Sequence, residues 1–520
     1  MKYLRSPGSM SEILLEVLGR AGLASATAAI LPGWTERFCE RLGLPRGAVD
    51  FDHYRLASGT AFSSPVAATL HYLTIGSSQD FSPRPGFSPA RYRRLNPDVE
   101  LAGYEPFAHW LRFGREEGRQ AEIPPDPAPV ELARLLSHRP PDGRHAKVDV
   151  VMPVYGSRAL ALQAIDSVLA AETREAYELV IVDDASPDPV LRRELEALAR
   201  AGLITLLVNE RNLGFVESVN RGFAAHDDRD VVLLNSDTKV FRGWLDRLMA
   251  ALRTERTATA TQLSNAATIL SYPATLCDNR LLPDAQVERW DELCAGLHEP
   301  LVEIPTGVGF CMAVRRACLD QIGSFDGERF GRGYGEENDF CLRATAAGWR
   351  HVAAPGLFVW HRGGASFGSE REALIAAAQA TIERLHPGYA ETVGQFIRRD
   401  PLAGTRRVLD VARIGRDPRP KRLRLGITAT PAPADMLEIV LTPDLPPHLG
   451  QYRLVPVGAG SYPNLPRLGP ESPTPEMSIL LRDLGVRECF VGQGAQGNLE
   501  WRAHLEQACR SSGVEWISRP

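Results

Sequence analysis

The sequence has little cysteine, no long apolar run and no strong excess of charge of either sign. Its 8 cysteines are scattered and none forms a CxxC pair, which argues against zinc ribbons and dithiol redox motifs. Such sparse use fits a reducing, cytoplasmic setting. Lys and Arg number 59 against 64 Asp and Glu, a formal net charge of -5, so no global basic field points to nucleic acid. No apolar run approaches the ~20 residues a membrane span needs. Met10–Leu31 is interrupted by Glu12, Glu16 and Arg20. It reads as an amphipathic helix rather than a secretory leader, and leaves open a peripheral contact at the inner face of a membrane. What the chain does have is length: 520 residues, 44% of them hydrophobic, are expected to form several domains with a large core.

The organising stretch is Val231–Val240, VVLLNSDTKV. Four apolar residues in a row suit a strand buried on both faces of a parallel sheet. The run then breaks into Asn235, Ser236 and Asp237 at the strand's carboxyl end, the edge where open α/β sheets bind ligands. An acid there can hold a hard divalent cation, which can hold a diphosphate; it can equally cap a following helix.

Taken in order, residues 1–120 hold a weak internal repeat. His71-Tyr72-Leu73 then Gly76 recurs as His109-Trp110-Leu111 then Gly114; Phe51 and Tyr54 recur as Phe87 and Tyr92, and Pro65 as Pro106. A period just under ~40 residues belongs to small helical repeats, so a small helical interaction region is expected. Its core candidates include Tyr92, Leu95, Val99, Phe107, Trp110 and Leu111. The two His residues are read as packed rings with one satisfied hydrogen bond each rather than metal ligands. Residues 121–146 are a proline-rich linker. From Lys147 strands and helices alternate, as in a mostly parallel doubly wound sheet. Strands are expected at Val148–Val154, Leu179–Val182, Ile204–Val208, Val231–Leu234 and Gly307–Val314. After about Arg406 the character changes: Gly415–Arg424 is basic and proline-broken, and 420–520 reads as a small, incomplete α/β segment. There Gly492-Gln493-Gly494-Ala495-Gln496-Gly497 spells GxGxxG between a strand and a helix, but no complete βαβ unit follows.

Several polar sites fall at strand or loop ends within 147–385. Asp183-Asp184 follows the second strand; a carboxylate there can accept from a nucleobase or ribose, or cap the next turn with Ser186. Asp237 is the second. Gly335-Glu336-Glu337-Asn338-Asp339 is the third; acids in a first helical turn are favoured by the dipole, but three acids in four residues exceed what a cap needs. The fourth is His361, before Arg362-Gly363-Gly364, placed where it could reach a metal.

The stretches VDVVMPVYG, VIVDDASPD, NERNLGFVESVNRGF, VVLLNSDTKV, TGVGFCMAVRR, GSFD, YGEENDFCLRATAAGW and WHRGG occur in the order and spacing of one family. Residues 147–385, within an expected domain of 147–405, resemble family-2 inverting glycosyltransferases with the GT-A nucleotide-diphosphosugar fold, of the bacterial polysaccharide-biosynthesis type. The resemblance implies roles residue by residue. Pro153 and Tyr155 line the nucleotide pocket and Asp184 grips the base. Asn212 and Gly214 sit by the nucleotide or diphosphate. Asp237 ends a DXD-like motif and binds Mn2+ or Mg2+, with His361 as a second ligand. Glu337 stands at the catalytic base position, with Asp339 as the alternative. Two departures stand out: Asn235 replaces the first acid of DXD, and the base is Glu rather than Asp. The absence of a QxxRW-like stretch speaks against a processive membrane synthase. The implied activity is metal-dependent, inverting transfer of a hexosyl or deoxyhexosyl group from a nucleotide-diphosphosugar to a glycan or lipid-linked glycan. A Gly323–Gly335 loop would close over the donor, and residues 1–120 would hold a protein partner. The competing expectations are an inactive scaffold of the same fold, kept alive by Asn235, and an NAD-dependent enzyme using the C-terminal glycines.

Overall fold

The computed structural model describes residues 44–84, 87–96, 104–114, 128–276, 284–331, 333–362, 371–425, 435–443, 451–457, 462–492 and 499–518, with 37, 39, 40, 99, 279 and 433. The chain divides into two compact units, Pro125–Leu409 and a second made of the segments on either side.

Within Pro125–Leu409 the strands are β1 (Val148–Val154), β2 (Tyr177–Asp183), β3 (Thr205–Val208), β4 (Asp230–Leu234), β5 (Thr238–Lys239), β6 (Thr257–Leu263), β7 (Val302–Ile304), β8 (Cys311–Val314), β9 (Arg350–Phe358) and β10 (Trp360–His361). Eight of them form one sheet in the order β3-β2-β1-β4-β8-β6-β9-β7, and β5 and β10 form a separate two-stranded ladder. Strands β1 to β4 run parallel, as the apolar runs suggest: Val231–Leu234 is fully buried, at 0% exposure throughout. β8 runs antiparallel to both β4 and β6, while β6 and β9 are parallel. This reversal decides what meets at the sheet's edge. The carboxyl ends of β1, β2, β3, β4, β6 and β9 lie on one side, and so does the amino end of β8. The residues expected to form a strand at 307–310 instead form a turn before β8, and Phe310 accepts the Asn235 N–H at 2.7 Å.

The helix Phe215–Phe223 lies against β1, and the contact is close. A Cβ on Gly222 would stand 2.2 Å from Val151 Cγ1. The helix Glu336–Ala346 buries Phe340, Cys341 and Ala344 in the same core as Met312, Val314 and Phe325. It is moored to β9 and β6 through His351, whose Nε2 donates to the Cys341 carbonyl at 2.9 Å while Nδ1 meets Thr259 Oγ1 at 2.7 Å. The helix Leu132–Leu136 lies inside the expected linker. Leu135 is buried, and Arg134 and His138 both bond Asp166.

In the N-terminal region both copies of the repeat make the same tyrosine–histidine contact. Tyr54 Oη meets His71 Nδ1 at 2.8 Å, and Tyr92 Oη meets His109 Nδ1 at 3.0 Å. The helices Pro65–His71 and Pro106–His109 each continue into a π-helical turn, Tyr72–Gly76 and Trp110–Gly114. A Cβ on Gly76 would stand 2.0 Å from Tyr54 Oη, and one on Gly114 2.2 Å from Tyr92 Oη. The ring equivalent to Phe87 is not Phe51, as the spacing suggested. Val49 and Phe87 hold the same place before their tyrosines and are buried, whereas Phe51 is only half-buried. Glu105 joins the copies, accepting from Tyr72 Oη and Ser77 Oγ at 2.7 Å each. Leu95's side chain lies outside the described residues.

The C-terminal region forms a six-stranded sheet, β14-β13-β12-β11-β15-β16, from β11 (Lys421–Leu425), β12 (Leu437–Pro443), β13 (Tyr452–Pro456), β14 (Arg467–Leu468), β15 (Val486–Val491) and β16 (Glu515–Ser518). Its inner strand β11 comes from the basic stretch read as a break. Leu423 and Leu425 point inward, while Arg422 and Arg424 pair with Glu488 and Glu438. Of the GxGxxG run, all but Gly492 lies outside the described residues.

Two tests follow from the packing. Alanine normally stabilises a helix by about 1 kcal/mol over glycine, but at Gly222 overpacking against Val151 costs about 1–3 kcal/mol. Gly222→Ala should therefore lower the urea midpoint, and an unchanged or raised midpoint contradicts the close contact. His351 is pushed down by burial from 6.5 to about 4. Its contribution is therefore present above pH 6.5 and lost as pH falls toward 4, where only the unfolded chain takes the proton readily. That difference is worth about 3 kcal/mol. Urea unfolding at pH 7 and 4.5 should show a larger acid loss in the wild type than in His351→Gln; equal losses would contradict it.

Candidate active site

Asp237 and His361 are brought together by the short ladder. β5 and β10 pair antiparallel with Trp360 opposite Lys239 and His361 opposite Thr238, and Arg362 N–H donates to the Asp237 carbonyl at 2.9 Å. His361 Nε2 then faces Asp237 Oδ1 at 3.3 Å, with side chains 14% and 12% exposed. His361 Nδ1 lies 2.9 Å from the Ala266 carbonyl. A carbonyl only accepts, so Nδ1 carries a proton, and Nε2 is left facing a carboxylate oxygen, a contact that a proton on Nε2 or a cation between the two atoms satisfies. An imidazole whose other nitrogen donates to a carbonyl is the usual arrangement of a metal-binding histidine, and His nitrogen with carboxylate oxygen suits Mn2+. The donor set fits a divalent cation.

Asn235 lies at the same edge. Its Oδ1 is enclosed and accepts no hydrogen bond among the described residues. Phe310, which takes the Asn235 N–H, stacks on the His361 ring at 4.6 Å and 11°. The preceding residue, Gly309, reaches the acid cluster: a Cβ there would stand 3.6 Å from Glu337 Cβ. The turn Gly309-Phe310 thus links Asn235, Glu337 and His361.

Glu336 and Glu337 open the helix Glu336–Ala346, after Tyr334 and Gly335 at positive φ of 70° and 90°. Glu336 is buried, and its carboxyl lies against that of Glu337. Burial pushes both carboxyls up; Glu336 rises further because the Glu337 charge adds to it. Asp339 is differently placed. Its Oδ2 accepts from Arg343 Nε at 2.7 Å and its Oδ1 meets His386 Nε2 at 2.8 Å. Nearby, Tyr389 Oη and Thr306 Oγ1 are 3.3 Å apart, and burial pushes the Tyr389 phenol up to about 12.

Asp184 sits on the same edge but turns inward. Oδ1 accepts from Asn209 Nδ2 and Leu213 N–H, at 2.8 and 2.7 Å, and Oδ2 from Gly214 N–H at 2.9 Å. It thereby shapes the turn that carries Asn212, with Gly214 at φ 88° starting the next helix. Asp183 is tied to Arg192 and the Ser186 N–H. Pro153 is half-buried near the end of β1, and Tyr155 just beyond it is 58% exposed. The Gly323–Gly335 segment includes the short helix Gly327–Phe330. Its base is clamped by Asn220, whose amide bonds both ends of Phe325 at 2.8 and 3.1 Å. Sequence reasoning missed Asn265, Phe310, Thr306 and Tyr389; only the turn glycines around Phe310 gave a signal.

Asp149, Glu178 and His226 form another group able to hold a metal ion, with ligand atoms within 4.8 Å of one another. Arg229 Nη1 already meets Asp149 at 2.9 Å and Glu178 at 2.7 Å. Asp149 lies at the amino end of β1, about 17 Å of strand from the other edge. This group is an ion-pair network. Among the described residues, no helix is long and apolar enough to cross a membrane.

Residues 149–323 match the model of Glycosyl transferase family 2. The chain is 33% identical over 118 residues to the putative polypeptide N-acetylgalactosaminyltransferase 13 of Drosophila melanogaster, 21% of each chain. It is 26% identical over 255 residues to the pre-mycofactocin glycosyltransferase of Mycobacterium tuberculosis, 45% of this chain and 48% of that one. It thus spans about half or less of the curated relatives it matches. Among solved structures it is similar to GalNAc-T7 with UDP, GalNAc and Mn2+ (TM-score 0.37, 17% identity, 49% of this chain and 51% of that). It is also similar to a mannosyltransferase from Pyrobaculum calidifontis with GDP-Man and Mn2+ (TM-score 0.36, 17% identity, 54% and 80%). With the family model lying on β1 to β8 and the polar residues gathered at their common edge, the chain carries a glycosyltransferase family 2 domain of the GT-A fold.

Proposed function

We propose that this domain transfers a hexosyl or deoxyhexosyl group from a nucleotide-diphosphosugar to a hydroxyl of a growing glycan, with inversion at the anomeric carbon. The observation that carries the reading is the Asp237–His361 pair, a carboxylate oxygen and an imidazole nitrogen facing each other at 3.3 Å at the sheet's carboxyl edge. A divalent cation, Mn2+ or Mg2+, held there would neutralise charge on the diphosphate and on the leaving group. Asn235, with its unpaired Oδ1, would orient the donor rather than add charge. Pro153, Tyr155, Asn212 and Gly214 would border the nucleotide, and Asp184 would act on it mainly by shaping the 212–214 turn. Glu337 would accept the proton of the attacking hydroxyl, which approaches from the face opposite the diphosphate. A carboxyl raised by burial is better matched to that task near neutrality than an ordinary one. Asp339 is the weaker candidate, because Arg343 and His386 engage its two oxygens. The 323–335 segment would close over the donor and exclude water.

In this reading the acceptor is a glycan or lipid-linked glycan of a polysaccharide-assembly system. It is met in the cytoplasm or at the inner face of the membrane, with residues 1–120 holding a protein partner. Asn235 in place of the first DXD acid favours a second reading, an inactive scaffold in such a complex.

Glu337→Gln should lower sugar transfer by about 10²–10⁴-fold in a screen of nucleotide-sugars with Mn2+, while UDP or GDP affinity by calorimetry stays near wild type. Undiminished turnover would move the base elsewhere. A wild-type chain that binds nucleotide-sugar but never turns it over would favour the scaffold.

A further inference from the structure

Asn265 follows β6 and Ser264 and is 0% exposed. Its Oδ1 accepts the main-chain N–H of His361 at 2.9 Å, and its Nδ2 donates to the main-chain carbonyl of His361 at 2.7 Å. One amide therefore holds both polar groups of one residue's backbone, as a strand neighbour would, at the point where β6 has ended. The next residue, Ala266, supplies the carbonyl that takes the His361 Nδ1 proton. Asn265 is itself fixed: its carbonyl accepts from Asn279 N–H at 2.8 Å and Asn279 Nδ2 at 3.2 Å. Phe310 covers the ring from a separate element. The loop after β6 thus sets the backbone position and the tautomer of His361, and Phe310 sets the plane of its ring.

A buried asparagine can do this for the fold alone. The distinguishing feature is where the clamp aims the ring: with the backbone N–H, the carbonyl and Nδ1 of His361 held by the loop, Nε2 is turned toward Asp237 at 3.3 Å. We propose that Asn265 is a positioning residue for the cation site, holding His361 so that Nε2 and the Asp237 carboxylate present a preformed pair of ligands. This rests on reading Asp237 and His361 as cation ligands. Without the amide, the short β5–β10 ladder, the Ala266 carbonyl and the Phe310 ring would be left to hold the histidine, and each cation bound would have to complete its ordering.

The test uses the full chain and Mn2+, with free ion followed by electron paramagnetic resonance, in the presence and absence of UDP or GDP. Loss of an outer hydrogen-bond partner of a metal-binding histidine lowers affinity by about 10–100-fold, and Asn265→Ala should fall in that range. His361→Ala should lose affinity too, and the double variant should bind no more weakly than His361→Ala alone, because Asn265 acts only through His361. Nucleotide affinity without metal should not change. Thermal unfolding and near-ultraviolet dichroism show whether Asn265→Ala is folded; if it is not, Asn265→Ser takes its place in the same cycle. Wild-type Mn2+ affinity in a folded Asn265 variant, or a loss that adds to that of His361→Ala, overturns the proposal while leaving the cation pair intact. Equal Mn2+ affinity in wild type and His361→Ala overturns the cation-pair reading itself.

Discussion

The site depends on a two-residue ladder. β5 and β10 pair only through Lys239 with Trp360 and Thr238 with His361, yet this ladder joins the end of β4 to the end of β9. Side chains alternate along a strand, so a slip of one residue would swing His361 to the other face and separate Nε2 from Asp237. A ladder that short is not stable by itself. Its register is held from outside, by Arg362 N–H on the Asp237 carbonyl and by the Asn265 amide on His361. The antiparallel course of β8 is part of the same constraint, because it brings Gly309 and Phe310 to the edge where the parallel strands end.

Around that pair the acids divide by environment rather than by residue type. Glu336, Glu337 and Asp339 share one helical turn, where the dipole favours negative charge by about 0.3–1 kcal/mol. Asp339 is paired with Arg343, meets His386 Nε2 with its other oxygen, and moors the helix. Glu336 and Glu337 have no cation beside them among their described contacts, and burial drives both toward the neutral form. In the proposed reading Glu337, raised by burial, is the proton acceptor, whereas Asp339, with both oxygens engaged, is the structural acid. Asp184 belongs to the second kind: its oxygens hold a turn.

Much of this was legible in the sequence wherever a strand is an apolar run broken by short polar residues, as at Val148–Val154 and Val231–Leu234. The edge residues 184, 237 and 361 followed from those breaks. β6 was not legible: TATATQL has no apolar run, yet all seven residues are buried on an inner strand between β8 and β9. β11 was hidden by arginines that face glutamates across the sheet. The direction of β8 could not be read, since a four-residue apolar strand carries no sign of polarity. Asn265 was invisible for another reason. Its partners are main-chain groups 96 residues away, and a main-chain group leaves no mark in the sequence.

The central claim is that Asp237 and His361 form the domain's cation site. An anomalous-difference map from crystals of the full chain grown with Mn2+ and a nucleoside diphosphate tests it directly. The account predicts a manganese peak between Asp237 Oδ1 and His361 Nε2, with diphosphate oxygens completing its shell. A peak at Asp149, Glu178 and His226 instead, or ordered diphosphate at the edge with no metal beside Asp237, would contradict it.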